Sequence, residues 1–87
     1  MKIFVVYHSN GHVWERAYTS FQSAVDVVSA YANQENLRAK ADGFYEDDED
    51  RPAKMENDFT YMDEQGGVMV AHNELDKMST FVKEIAL

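Results

Sequence analysis

Apolar positions along the chain fall into runs divided by turn-forming residues. Ile3-Phe4-Val5-Val6-Tyr7 is β-branched and aromatic, and Asn10-Gly11 separates it from Val13-Trp14-Glu15-Arg16-Ala17-Tyr18. Asn-Gly between two such runs is a strong hairpin signal, because both central residues of a type I′ turn need positive φ. Strands are therefore expected over 2–9 and 12–18. Phe21, Ala24, Val25, Val28, Tyr31 and Ala32 then recur at helical spacing and form one apolar stripe. Thr19 or Ser20 caps this helix, and Thr19 with Gln22 matches a capping box. The periodicity holds to Asn33 and weakens from Leu37, which falls off the stripe, to Ala41, with Gly43 as the stop.

Residues 42–57 hold Gly43, the sole proline and a run of acids, and read as a loop. Phe44 and Tyr45 inside it suggest that one end is pinned to the core. Phe59-Thr60-Tyr61-Met62 and Val68-Met69-Val70-Ala71 flank Asp63-Glu64-Gln65-Gly66-Gly67, which predicts a second hairpin. Asn73 can cap a second helix carrying Leu75, Met78, Phe81, Val82, Ile85 and Ala86. A strand from Thr80 to Leu87 is the rival reading, but Lys83 and Glu84 spoil its alternation. The expected fold is α+β, a single domain over residues 1–87 in the order ββα, acidic loop, ββα. A four-stranded antiparallel sheet with two helices on one face is the two-layer solution for that order.

A sheet covered on one face should alternate apolar and polar residues, yet the first strand is apolar on both sides. With a two-residue Asn10-Gly11 turn, Ile3, Val5, Tyr7, Trp14 and Tyr18 share one face, and Phe4, Val6, Val13 and Ala17 the other. One set faces the helices. The other needs the acidic loop, a second copy of the chain or a target protein over it, unless the first strand is simply central in a small core.

Composition narrows the function classes. The 87 residues include no cysteine, which rules out a disulfide scaffold, a thiolate zinc site and a cysteine nucleophile. No apolar run approaches the roughly 20 residues of a bilayer-crossing helix, so no membrane partner is expected, and a cytoplasmic location is. Sixteen acids against eight bases give a net charge of -8, which argues against direct binding of nucleic acid. The charge is local. Residues 42–64 hold ten acids (Asp42, Glu46, Asp47, Asp48, Glu49, Asp50, Glu56, Asp58, Asp63, Glu64) and only two bases, Arg51 and Lys54, while the rest balances at six against six.

Catalytic and cofactor motifs are absent. There is no G-x-S-x-G, P-loop, H-E-x-x-H or dinucleotide fingerprint, and no catalytic residue, cofactor or metal ligand is assigned. The acidic run does not satisfy the calcium-loop template of alternate acids, a sixth-position glycine and a twelfth-position glutamate. His8 and His12 flank the first turn, and a two-residue loop points them to opposite faces; only a bulged, odd-numbered loop brings them together. The expectation is a non-enzymatic protein.

An extended run from Glu46 to Asp50 would place one carboxylate every ~3.3 Å, against ~3.4 Å per phosphate along one DNA strand. Such a run can occupy a lysine- and arginine-lined groove with the counterion release that draws nucleic acid there. Asp58, Asp63 and Glu64 would extend the surface, and Phe44, Tyr45 and Tyr61 would supply aromatic anchors. In its shortness, lack of cysteine, antiparallel α+β order and single acidic surface, the chain resembles small acidic bacteriophage accessory proteins of the DNA-mimic or anti-CRISPR type. That resemblance implies an inhibitor or decoy that binds a basic site on a nucleic-acid-handling protein. The first alternative is a homodimeric structural or adaptor domain that uses the apolar sheet face, and the last is a small enzyme or metal-binding protein.

Overall fold

The computed structural model describes all 87 residues. Strands β1 (Lys2–His8) and β2 (Val13–Tyr18) lead into one helix, α1 (Phe21–Ala41). A single 3₁₀ turn (Asp48–Asp50) and strands β3 (Ala53–Met55), β4 (Val68–Asn73) and β5 (Met78–Ala86) complete the chain. The fold is α+β, but with five antiparallel strands in the order β2-β1-β5-β4-β3 and one helix, rather than four strands and two helices.

The C-terminal segment is the largest correction. It forms β5, which lies in the centre of the sheet between β1 and β4. Phe81 is buried on one face and Val82 on the other, and Lys83 and Glu84 fall towards the strand's end, where Glu84 pairs with Lys2 at 3.0 Å. A strand buried on both faces has no reason to alternate, which removes the objection to the strand reading. Asn73 caps a turn instead of a helix: its side chain accepts from Leu75 N–H at 2.9 Å. The chain then reverses through Lys77 at φ +56°.

The segment 59–62 forms no named strand. Phe59 adopts φ +44°, and Met62 makes a single bridge to Val68 across the turn at 63–67. The partner of β4 further along is β3, three residues inside the stretch read as loop.

The first hairpin forms where expected, with a different loop. His8 N–H bonds His12 C=O and Gly11 N–H bonds His8 C=O, each at 2.9 Å, which closes a three-residue loop over Ser9, Asn10 and Gly11. Gly11 takes φ +92°, the left-handed position that such loops require. The extra loop residue pairs Val13 with Tyr7 and so flips β2, and an irregularity between Val5 and Tyr7 then shifts the register by two, which keeps the faces and sets Ala17 against Val5 and Tyr18 against Phe4. Trp14 and Tyr18 therefore pack with Phe4 and Val6 under the helix, while Val13 and Ala17 join Ile3, Val5 and Tyr7 on the open face.

Helix α1 runs its full length to Ala41, capped by Ser20, whose side chain accepts from Ser23 N–H at 3.0 Å. The Thr19–Gln22 capping box is not formed; Gln22 donates to Asp26 at 2.8 Å. Ala24, Val28, Ala32, Asn36 and Ala39 are its buried positions. The core joins Ala24 and Val28 to Phe4, Val6, Val70, Ala71 and Val82. A bulge between Met69 and Ala71 turns both Val70 and Ala71 inward.

No helix covers the opposite face. Tyr7 and Phe81 stack there with centroids 5.2 Å apart, and Tyr61 lies 6.3 Å from Phe81. The Tyr7 hydroxyl donates to Asp63 at 3.0 Å. Burial and that carboxylate push the Tyr7 phenol up to about 12. Ile3, Val5 and Ile85 are half-buried beside this cluster, and Val13 and Ala17 are exposed.

Candidate functional site

The acidic segment starts where α1 ends. The N–H groups of Asp42, Gly43 and Phe44 bond back to Arg38, Lys40 and Ala39 and close the helix. The Tyr45 hydroxyl donates to the Asn36 carbonyl at 2.9 Å, so the expected aromatic pin is real at Tyr45. It is not at Phe44, which is 64% exposed.

The exit of the segment is held more tightly. Asn36 is buried, and its amide donates to the Ala53 carbonyl while its oxygen accepts from Ala53 N–H, both at 2.8 Å. One side chain thus satisfies both backbone groups of Ala53 on the outer side of β3, as a neighbouring strand would. Pro52 beside it is buried. Six consecutive residues, Glu46 to Arg51, therefore span between two fixed points that both meet Asn36 of α1.

Between those points the carboxylates are not in an extended line. Asp47 accepts from Glu49 N–H at 3.2 Å and caps the 3₁₀ turn, and Arg51 N–H closes it onto the Asp48 carbonyl. A 3₁₀ turn rises only about 2 Å per residue, so the match to phosphate spacing along a strand does not hold. The five carboxylates instead follow a bent path, with Asp47 on extended backbone and Asp48, Glu49 and Asp50 on the turn. All are exposed, and the only ion pair within the acidic segment is Lys40 with Asp48 at 3.5 Å. The turn borders an open groove shared with Ser29, Asn33, Lys54 and Asn57.

The remaining predicted residues sit apart. The 63–67 turn lies at the far end of β4, about 20 Å along the strand from where Pro52 meets Glu74. Glu64 is exposed there, whereas Asp63 is half-buried and engaged by Tyr7. Asp58 accepts from the Thr60 hydroxyl at 3.1 Å. Tyr61 is 57% exposed but belongs to the open sheet face. The structure therefore keeps Phe44, Tyr45 and Glu46 to Asp50 on one loop, places Tyr61 and Asp63 on the open sheet face with Glu64 at the adjoining turn, and leaves Asp58 apart from both, between Asn57 of the groove and Phe59, which packs on Phe21.

Sequence reasoning missed Asn36. The available signal was a polar residue on the apolar stripe, four positions after Ala32 and three before Ala39, since a buried amide has to be hydrogen-bonded. The histidines also differ from expectation. The three-residue loop brings His8 and His12 face to face, with ring centroids 6.2 Å apart and planes 12° from parallel. His72 borders the same small cavity as His8, with Ser79 at 2.9 Å and Glu74 at 3.3 Å as its own partners. No three His, Asp or Glu side chains are grouped to hold a metal ion. No helix is long and apolar enough to cross a membrane.

The chain matches no family model, no curated protein and no solved structure.

Proposed function

We propose that this protein is a non-enzymatic binding module whose 44–52 segment docks into a basic site on a nucleic-acid-handling protein and keeps nucleic acid out. The observation that carries this reading is the combination of charge and restraint. Five exposed carboxylates with one ion pair among them sit on a segment anchored at both ends by hydrogen bonds to Asn36. A merely solubilising stretch needs charge but no scaffold. A binding surface gains from being held in place beforehand, because little conformational freedom is then lost on association. Phe44, exposed next to the run, offers an apolar contact at its edge. In this reading the run imitates the local charge density of a phosphate backbone rather than its linear spacing. A cytoplasmic site of action fits a partner that handles nucleic acid.

The test is affinity capture from the native host with wild-type protein and with a D48N/E49Q/D50N variant, which leaves the Asp47 cap in place. A nucleic-acid-binding protein retained by the wild type and lost from the variant supports the reading. Equal recovery by both refutes it.

A second reading rests on the open sheet face, where Ile3, Val5 and Ile85 are half-buried and Val13 is 55% exposed. A homodimer packed through this face would double the mass seen by light scattering at high protein concentration. A monomeric mass there removes this second reading and leaves the first untouched.

A further inference from the structure

His8 is buried at the end of β1, where β2, α1 and β5 meet. Its Nε2 lies 2.8 Å from the Trp14 indole nitrogen, and its Nδ1 lies 2.9 Å from the Thr80 hydroxyl. An indole N–H only donates, so Nε2 has to be the unprotonated, accepting nitrogen. The proton then sits on Nδ1 and is donated to Thr80. This fixes one neutral tautomer. A second proton has only Nε2 to occupy, and there it meets the Trp14 N–H head-on.

The surroundings of His8 offer the protonated ring a different set of partners. On the hairpin loop, His12 faces it with ring centroids 6.2 Å apart. On α1, Tyr31 packs at 5.6 Å, with Glu35 one turn further along. Asp76 comes from the turn between β4 and β5. His8, Tyr31, Glu35, His72, Asp76 and Thr80 all border one cavity of about 20 Å³, enough for a single water. The neutral ring is thus held by Trp14, whereas an imidazolium would be drawn to the Glu35 and Asp76 carboxylates across that cavity. Burial, followed by the neighbouring His12, lowers the His8 pKa, against the opposing pull of Asp76 and Glu35.

We propose that His8 is a proton-operated latch: neutral, it ties Trp14 of β2 to Thr80 of β5, and protonated, it lets go of Trp14 and loosens the β1–β2 hairpin tip from the helix. The two states differ in specific contacts, which is what a proton needs in order to shift a population between them.

Trp14 is the only tryptophan, so its emission reports the latch directly. The experiment follows tryptophan fluorescence between pH 8 and pH 4.5 in the wild type, in His8→Gln and in His12→Ala. Glutamine can accept from the indole and donate to Thr80 but does not titrate. The expected result is a single transition in the wild type with its midpoint below 6.5, absent in His8→Gln and moved upward in His12→Ala. Emission that does not change with pH, or a transition that survives in His8→Gln, overturns the proposal. Should His8→Gln fail to fold, ring ¹⁵N shifts of the wild type decide it. At pH 8 they should show the proton on His8 Nδ1, and a proton on Nε2 overturns the latch.

Discussion

Replacing Asn36 by alanine removes two hydrogen bonds of 2.8 Å and leaves the Ala53 N–H and C=O without partners at a position only 5% exposed. A stranded buried polar group costs about 1–3 kcal/mol, and water can reach part of the outer edge of β3, so the low end applies to each. The expected loss is about 2–4 kcal/mol. For a domain of this size each kcal/mol shifts Tm by about 4–8 °C, so the variant should melt on the order of 10–25 °C lower. Thermal unfolding followed by circular dichroism reads this out, with amide exchange as the local probe. Exchange at residues 46–51 should accelerate more than at β1 and β5, because only the former lose an anchor. Asn36→Asp should be as damaging, since its carboxylate can accept from Ala53 N–H but cannot donate to the carbonyl and carries a buried charge. A Tm within about 4 °C of wild type, corresponding to under about 1 kcal/mol, would falsify the view that Asn36 is the clamp of the acidic segment.

Other expectations follow from separate contacts. A Cβ at Gly67 would fall on the Tyr7 hydroxyl and 2.6 Å from its Cζ. Gly67→Ala should therefore cost about 1–3 kcal/mol by overpacking, and much less in a Tyr7→Ala background, where the ring is gone; equal costs in urea unfolding would refute the clash. The Tyr7 and Tyr31 phenols are both raised to about 12, by burial and Asp63 for the first and by Glu35 and burial for the second. Unfolded tyrosine titrates near 10, so the unfolded chain gives up these protons first. Stability should be intact below pH 10 and fall as pH rises from 10 to 12, and urea midpoints that stay level over that range would contradict it. The exposed carboxylates of the 3₁₀ turn repel one another, so D48N/E49Q/D50N should melt no lower than wild type, and added salt should raise the wild-type Tm more than the variant's. A clear drop in the variant's Tm would show that these acids serve the fold.

The parts of this fold that could be read in the sequence are those with a local cause. The Asn10-Gly11 turn and the apolar stripe from Phe21 to Ala32 specify the hairpin and the helix by themselves. What failed depended on counting or on neighbours distant in sequence. One additional loop residue, Ser9, exchanges the faces of Trp14 and Val13, because side chains alternate with a period of two. Leu75, Met78, Phe81, Val82 and Ile85 fit a helix as well as a strand buried on both faces, and only the vacancy between β1 and β4 decides between them. Strand β3 is three residues long beside a proline, too short to carry a pattern, and exists because β4 and Asn36 bracket it. Within the candidate site the charge was legible residue by residue, but its shape was not. The 3₁₀ turn and the two anchors come from Asp47, Tyr45 and Asn36 acting across the loop.

In the proposed function, residues 44–52 occupy a site meant for nucleic acid. The most direct measurement takes the captured partner, bound to immobilised protein, and adds duplex DNA in increasing amounts. Release of the partner in proportion to DNA, with the released partner found on the DNA, is the predicted result. A partner that binds DNA and this protein at the same time, with no displacement, contradicts the account.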